Sequence, residues 1–381
     1  MSTLKKIITG SLIYYLPIVG NVLLSVFSYL FLSTQEATIV ITSQFLAAAG
    51  VGVYGIVCGQ ATIVLAKQKI VVERFLLRLF VVTFPAAIVG MISLALLSNK
   101  TVSSELVLIA SALTVVDGIL LIFRSAGFTR YLNRRSKISS ELVVVSLLRV
   151  IISVSPLMRD IKFLIYLVVV ISILLFCYAI IYGVLRGGLR RRKRVAVLFQ
   201  GNKVFYLLVS GFLNGLVPFL LMLGVEQNLA NENLTELFIL RIALTGNLLI
   251  RACVDLMLAT KRLVFAEIGL SFTSIILMCF ALISHRTAIL MAVLPSLAYV
   301  AKSAFLHNLI RVNFNRTLIS PSVLVFTYPF ILQFASPKVS IILSFIMATV
   351  SYAYFTKQFK DQWNHTFFIS IACMGVLLYA A

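Results

Sequence analysis

Apolar positions in this chain do not alternate with polar ones; they run on. Long stretches almost free of charge are separated by short polar breaks, and about 20 such residues are what a helix needs to cross a hydrocarbon core. The runs fall at 7–32, 38–66, 75–97, 102–123, 141–158 and 161–185, then at 204–225, 236–260, 263–283, 287–306, 318–335 and 338–356. A shorter apolar stretch, 366–381, follows. The pattern predicts an all-α polytopic membrane protein with about twelve transmembrane helices and a thirteenth apolar segment left open. The first run is too long for a cleavable signal peptide and lacks a small-residue cleavage site.

Composition strengthens this reading. Of 381 residues, 61% are hydrophobic and 12% charged, against about 45–50% and 25% in soluble domains. A soluble enzyme and a disordered tail are both excluded, since neither can carry so much apolar surface. The net charge of +21 would suggest nucleic acid on a soluble fold. In a membrane chain it belongs in cytoplasmic loops, and no nucleic-acid partner is expected. The cysteines Cys58, Cys177, Cys253, Cys279 and Cys373 stand singly inside apolar runs, which predicts packing rather than redox or metal chemistry.

Lys and Arg set the orientation. With the N-terminus inside, 24 of the 33 fall on inner segments, five on outer segments and four within spans. That bias places the N-terminus in the cytoplasm. The outer loops are short, so chemistry is confined to the membrane and its faces. The longest inner connection is the basic stretch around Arg186–Arg194. It divides the chain into an N-terminal six-helix bundle (1–185), a basic cytoplasmic linker (186–203), a C-terminal six-helix bundle (204–356) and a tail (357–381). Pro17 and Gly20 interrupt the first span, and Gly211, Gly215 and Pro218 the seventh; breakers at matching positions of two halves are a sign of a repeat transporter. The linker arginines also fit simple contact with anionic lipid.

Charge inside the spans costs about 2.5–3.5 kcal/mol per residue on insertion scales. Asp117 in the fourth span and Arg149 in the fifth lie about 9 and 12 Å from the inner end at 1.5 Å per residue, and the two spans are sequence neighbours, so this acid and this arginine can pair. Arg251 and Asp255 share a face of the eighth span, four residues apart. Two readings stay open. The four residues form structural ion pairs, or they line a polar layer in which arginine meets a phosphate or acidic sugar through its planar fork. Arg78 and Arg241 lie nearer the interfaces, where snorkelling accounts for them. The in-span amides Asn21, Gln44, Gln60, Asn214 and Asn247 are expected to hydrogen-bond between helices. No HExxH, Cys/His cluster, GxxxxGK[ST] loop or paired loop carboxylate is present, so no metal, no cofactor and no enzymatic activity is expected.

Twelve spans in two halves, a basic middle linker and the second-span segment Gln44-Phe-Leu-Ala-Ala-Ala-Gly-Val-Gly-Val-Tyr-Gly55 together resemble the multidrug/oligosaccharidyl-lipid/polysaccharide flippase superfamily, which includes the MATE exporters, and within it the Wzx-type O-antigen flippases. The resemblance implies a multi-pass protein of the bacterial inner membrane. It would move undecaprenyl-diphosphate-linked oligosaccharide to the periplasmic leaflet by alternating access through a cationic cavity. A coupling proton or cation is implied, with Asp117 and Asp255 as candidates. Membrane lipids and other polysaccharide-assembly membrane proteins are the implied partners. A drug or cation exporter of the same superfamily would want an acidic cavity, whereas four in-span charges are basic and two acidic. An O-antigen polymerase would be expected to carry a large outer loop.

The orientation has a direct check. Reporter fusions at Gln35 and Asn231 are expected to read periplasmic and one at Arg192 cytoplasmic; a periplasmic signal at Arg192 overturns the two-half topology.

Overall fold

The structure is a computed structural model that describes residues 19–66, 72–97, 103–132, 140–185, 202–228, 233–259, 263–284, 286–303, 316–355 and 365–380. All regular structure among the described residues is helical. The helices are α1 (Val19–Phe31), α2 (Thr34–Ala66), α3 (Val72–Leu97), α4 (Ser104–Leu132), α5 (Ser140–Val154), α6 (Ile161–Ala179), α7 (Asn202–Asn228), α8 (Asn233–Ala259), α9 (Leu263–Ser284), α10 (Thr287–Ser303), α11 (Arg316–Ile331), α12 (Pro337–Phe355) and α13 (His365–Tyr379). Seven segments among the described residues are long and apolar enough to cross a membrane, within α2 to α7 and in α12. The chain is therefore a polytopic, helical membrane protein by length and composition of its helices. Of the 366–381 stretch left open above, the part up to Tyr379 belongs to α13. Pro17 and the linker arginines Arg186–Arg194 lie outside the described residues.

The helix starts carry local chemistry. Ser33 and Glu36 form a capping box at α2: Ser33 N–H donates to Glu36 Oε2 at 3.1 Å, and Glu36 N–H donates to Ser33 Oγ at 3.4 Å. This satisfies two orphan amides and turns the chain from α1 to α2 in two residues. Asp160 caps α6 through Lys162 N–H at 2.8 Å, and Ser103 caps α4 through Leu106 N–H at 3.1 Å. The 141–158 span does not run as one α-helix. A 3-10 turn, Ser155–Met158, follows α5 and closes on Arg159 in the left-handed region (φ 55°), because Pro156 cannot extend the α-helical ladder. The 161–185 span ends in a π-helical turn, Ile180–Leu185.

Internal contacts divide the chain into two units, Met1–Leu216 and Val217–Ala381. The division falls inside α7. In the first unit α4 is central and packs on α2, α3, α5 and α6. Its core holds Tyr54 against Phe80 (ring centroids 4.8 Å), with Phe84 and Phe176 continuing the cluster. Tyr54 belongs to the second-span segment that carries the family resemblance, and its hydroxyl accepts from Thr83 Oγ1 at 3.3 Å. Gly118 makes room for this cluster: a Cβ there would lie 2.5 Å from Phe80 Cε2.

In the second unit α10 is central and packs on α8, α9, α12 and α13. Neutral polar pairs tie it together. Asn247 of α8 donates to Ala292 O at 2.6 Å and accepts from Ser296 Oγ at 2.7 Å, so it grips α10 on both sides of Pro295. Two hydroxyl pairs join α9 to α13, Ser271 with Thr366 at 3.2 Å and Ser274 with Ser370 at 2.8 Å. Near the start of α8, Glu236 accepts from Arg286 Nη1 and from the Ala288 amide that opens α10, both at 3.0 Å. Cys58 and Cys373 are buried as expected of small apolar residues, whereas Cys177 and Cys279 lie on exposed helix faces.

Gly118→Val is expected to lower the thermal midpoint of the detergent-purified protein, in line with an overpacking cost of about 1–3 kcal/mol. Adding Phe80→Leu removes the ring that the new methyls strike and should recover most of the loss. Equal midpoints for the single and double variants would show that this contact does not limit the packing.

Candidate functional site: a buried guanidinium cluster

The charges expected to meet in the first unit do meet. Arg149 of α5 donates through Nε to Asp117 Oδ1 of α4 at 2.8 Å. Two further partners complete the guanidinium. Nη1 donates to Ser153 Oγ at 3.2 Å, and Nη2 donates to Asn21 Oδ1 of α1. Three helices thus converge on one cation. The arginine lies nine residues into α5, about 14 Å along its axis, at a depth where an uncompensated charge is not tolerated.

Local sequence explains how the side chain is held. Ser153 is one turn beyond Arg149, on the same face. Its hydroxyl lies 2.6 Å from Gly20 O and 2.7 Å from Arg149 O, so one proton is shared between two carbonyl acceptors while the oxygen receives Nη1. Gly20 is where α1 passes the arginine stem: a Cβ there would sit 2.8 Å from Arg149 Cγ. The breaker seen in the sequence is thus a close-approach residue. From Asn21 the polar contacts continue along α1. Ser25 Oγ lies 3.1 Å from Asn21 O and 2.9 Å from Gln44 Oε1 of α2.

The two charges are not equally enclosed. Arg149 is 1% exposed and Asp117 15%, so the accessible partner is the acid. Each guanidinium nitrogen donates one hydrogen bond, which engages three of the five N–H groups in a side chain that is almost fully enclosed. The cluster can therefore hold a cation in an apolar bundle.

The other sequence candidates fare differently. Arg251 and Asp255 lie on the helical backbone of α8, one and two turns beyond Asn247; their side chains are outside the described residues. Arg241 is buried on the same helix, and its carbonyl accepts from Thr245 Oγ1 at 2.9 Å. Arg78 is exposed on α3. Among the amides, Asn21 is the one that joins the charges. Ser153 and the spatial role of Gly20 escape sequence reading, although the Arg-x-x-x-Ser spacing carries the signal for Ser153. Among the described residues no three His, Cys, Asp or Glu side chains gather as a metal site would require.

Asp117→Ala leaves Arg149 buried without its counter-ion and is expected to cost about 3–5 kcal/mol. Asp117→Asn with Arg149→Met, which removes both charges at similar volume, is expected to fall near wild type in thermal midpoint. If the double variant is as unstable as the single one, the pair is not what holds these helices.

No protein-family model matches the chain, and neither a curated protein nor a solved structure matches it.

Proposed function

We propose that this protein is a flippase of the bacterial inner membrane that carries undecaprenyl-diphosphate-linked oligosaccharide repeat units to the periplasmic leaflet. The observation that supports this reading most directly is the Asn21–Arg149–Asp117 cluster: an arginine at membrane depth whose acidic partner is the more accessible of the two. Arginine is suited to a diphosphate because its planar fork donates two parallel hydrogen bonds. In the conformation described, Asp117, Ser153 and Asn21 each take one nitrogen of the guanidinium. An incoming diphosphate would take the place of the carboxylate, and the helices joined by the pair would be freed to rearrange. Arg251 and Asp255 would supply a corresponding pair on α8.

A second reading is favoured by the same site. Arg149 is 1% exposed and its nitrogens are all engaged, which is what a purely structural pin would show. Both readings predict damage from single substitutions. They separate in the paired ones, because removing both partners of a buried ion pair is often neutral, whereas a substrate-contacting arginine has no neutral replacement.

Two experiments decide. Loss of the gene is expected to abolish surface polysaccharide while lipid-linked single repeat units accumulate on the cytoplasmic side. Units that reach the periplasm unpolymerised would point to a polymerase instead. The neutral pairs Asp117→Asn with Arg149→Met, and Arg251→Met with Asp255→Asn, are expected to remain defective at normal membrane levels. Restoration of wild-type polysaccharide by both would leave these residues with a structural role only.

A further inference from the structure

We infer that the exposed arginines Arg74 and Arg78 at the start of α3, with Tyr182 of the π-helical turn, form a binding site for the phosphate of an anionic phospholipid. This site is separate from the buried cluster and does not depend on the flippase reading.

Arg74 and Arg78 are one helical turn apart, so they share a face of α3. Continuing along that face come Val82, Val89 and Leu96, which are 68%, 63% and 62% exposed. Apolar side chains this open on an apolar helix mark the surface turned toward lipid. The two arginines therefore sit at the foot of a lipid-facing stripe. Arg78 is six residues into the helix, about 9 Å along its axis, deep enough that its head must reach back to the headgroup layer.

Neither arginine has an acidic partner among the described residues. Arg74 is instead steadied by an aromatic face: its Cζ lies 5.0 Å from the centroid of the Tyr182 ring. That ring is fixed in turn. Tyr182 stacks on Tyr178 at 5.5 Å with planes 9° apart, and Tyr178 meets Phe123 of α4 at 6.2 Å. The π-helical turn makes this possible, since the extra residue rotates Tyr182 toward α3. Gly183 lets the two backbones close up, because a Cβ there would lie 3.1 Å from Arg78 N. The result is a braced cation beside a second one, and among the described residues neither Arg78 nor the Tyr182 hydroxyl takes a partner.

This arrangement asks for an anion. Two guanidinium forks and a phenol O–H supply donors for the oxygens of a phosphodiester. The lipid-facing stripe beneath them supplies apolar surface for acyl chains. The Lys and Arg bias assigns this end of α3 to the cytoplasmic side, where anionic lipids attract basic residues at the interface. A free phosphate would use the donors but not the stripe.

The test uses the purified full chain in detergent and native mass spectrometry with added phosphatidylglycerol or phosphatidylcholine. Wild type is expected to retain phosphatidylglycerol in preference, and inorganic phosphate is expected not to displace it. Arg74→Gln with Arg78→Gln should weaken that retention by about thirtyfold. A control pair in the basic segment, Arg190→Gln with Arg191→Gln, should weaken it far less. Should the glutamine pair fold poorly, Arg74→Lys with Arg78→Lys keeps the charge but loses the fork and is expected to show about a threefold loss. Equal retention of both lipids, equal losses in site and control pairs, or displacement by inorganic phosphate overturns the proposal.

Discussion

An ion taken into a bundle of apolar helices leaves its water behind, and neighbouring side chains must replace that water atom for atom. The cluster at Arg149 meets this demand with an acid, an amide and a hydroxyl from three helices. Some other buried hydroxyls solve a smaller version of the problem without leaving their own helix. Ser344 and Thr349 each donate to the carbonyl four residues earlier, at 2.7 Å. A hydroxyl can be satisfied locally; a guanidinium with five N–H groups cannot. The arginine consequently dictates which helices lie together, and Gly20 is the concession that α1 makes to its stem.

The two units tie their interiors with different chemistry. The first uses a charged pair whose desolvation is costly and whose geometry must be good to offset it. The second has neutral contacts among its ties, Asn247 on α10 and hydroxyl pairs between α9 and α13, alongside the buried Arg241. Its ion pair, Glu236 with Arg286, stands where Arg286 is 48% exposed, and such pairs contribute little. Neutral contacts cost less to bury and less to break. In the first unit, losing a single partner leaves a stranded charge.

Much of the helical architecture was legible from uninterrupted apolar runs, because crossing a membrane imposes a length that few other structures share. The pairing of Asp117 with Arg149 was also legible, since short loops force sequential helices to be neighbours and mid-span charges must find each other. The breaks within helices were harder to see. Pro156 ends α5 early and the π-helical turn closes α6, yet both lie within apolar runs that hydropathy reads as continuous. Gly20 and Ser153 were hidden for another reason. A missing side chain and a shared proton matter only once the neighbouring helix is in place. Arg251 and Asp255 share a helix face by spacing alone, which says where their Cβ atoms project and nothing about what they meet.

The placement of the cluster along the chain has a consequence for biogenesis. Synthesis proceeds from the N-terminus, so α1 with Asn21 and α4 with Asp117 emerge from the ribosome before α5. Arg149 is the last of the three to arrive, and its counter-ion is already in the membrane when it does. Had the order been reversed, a lone guanidinium would have waited in lipid for its acid. The acid comes first, and the arginine, which cannot shed its proton, arrives to find it. Insertion of the fifth helix is in this sense helped by the fourth, and the ion pair that later pins the bundle first serves as a receptor for its own arginine.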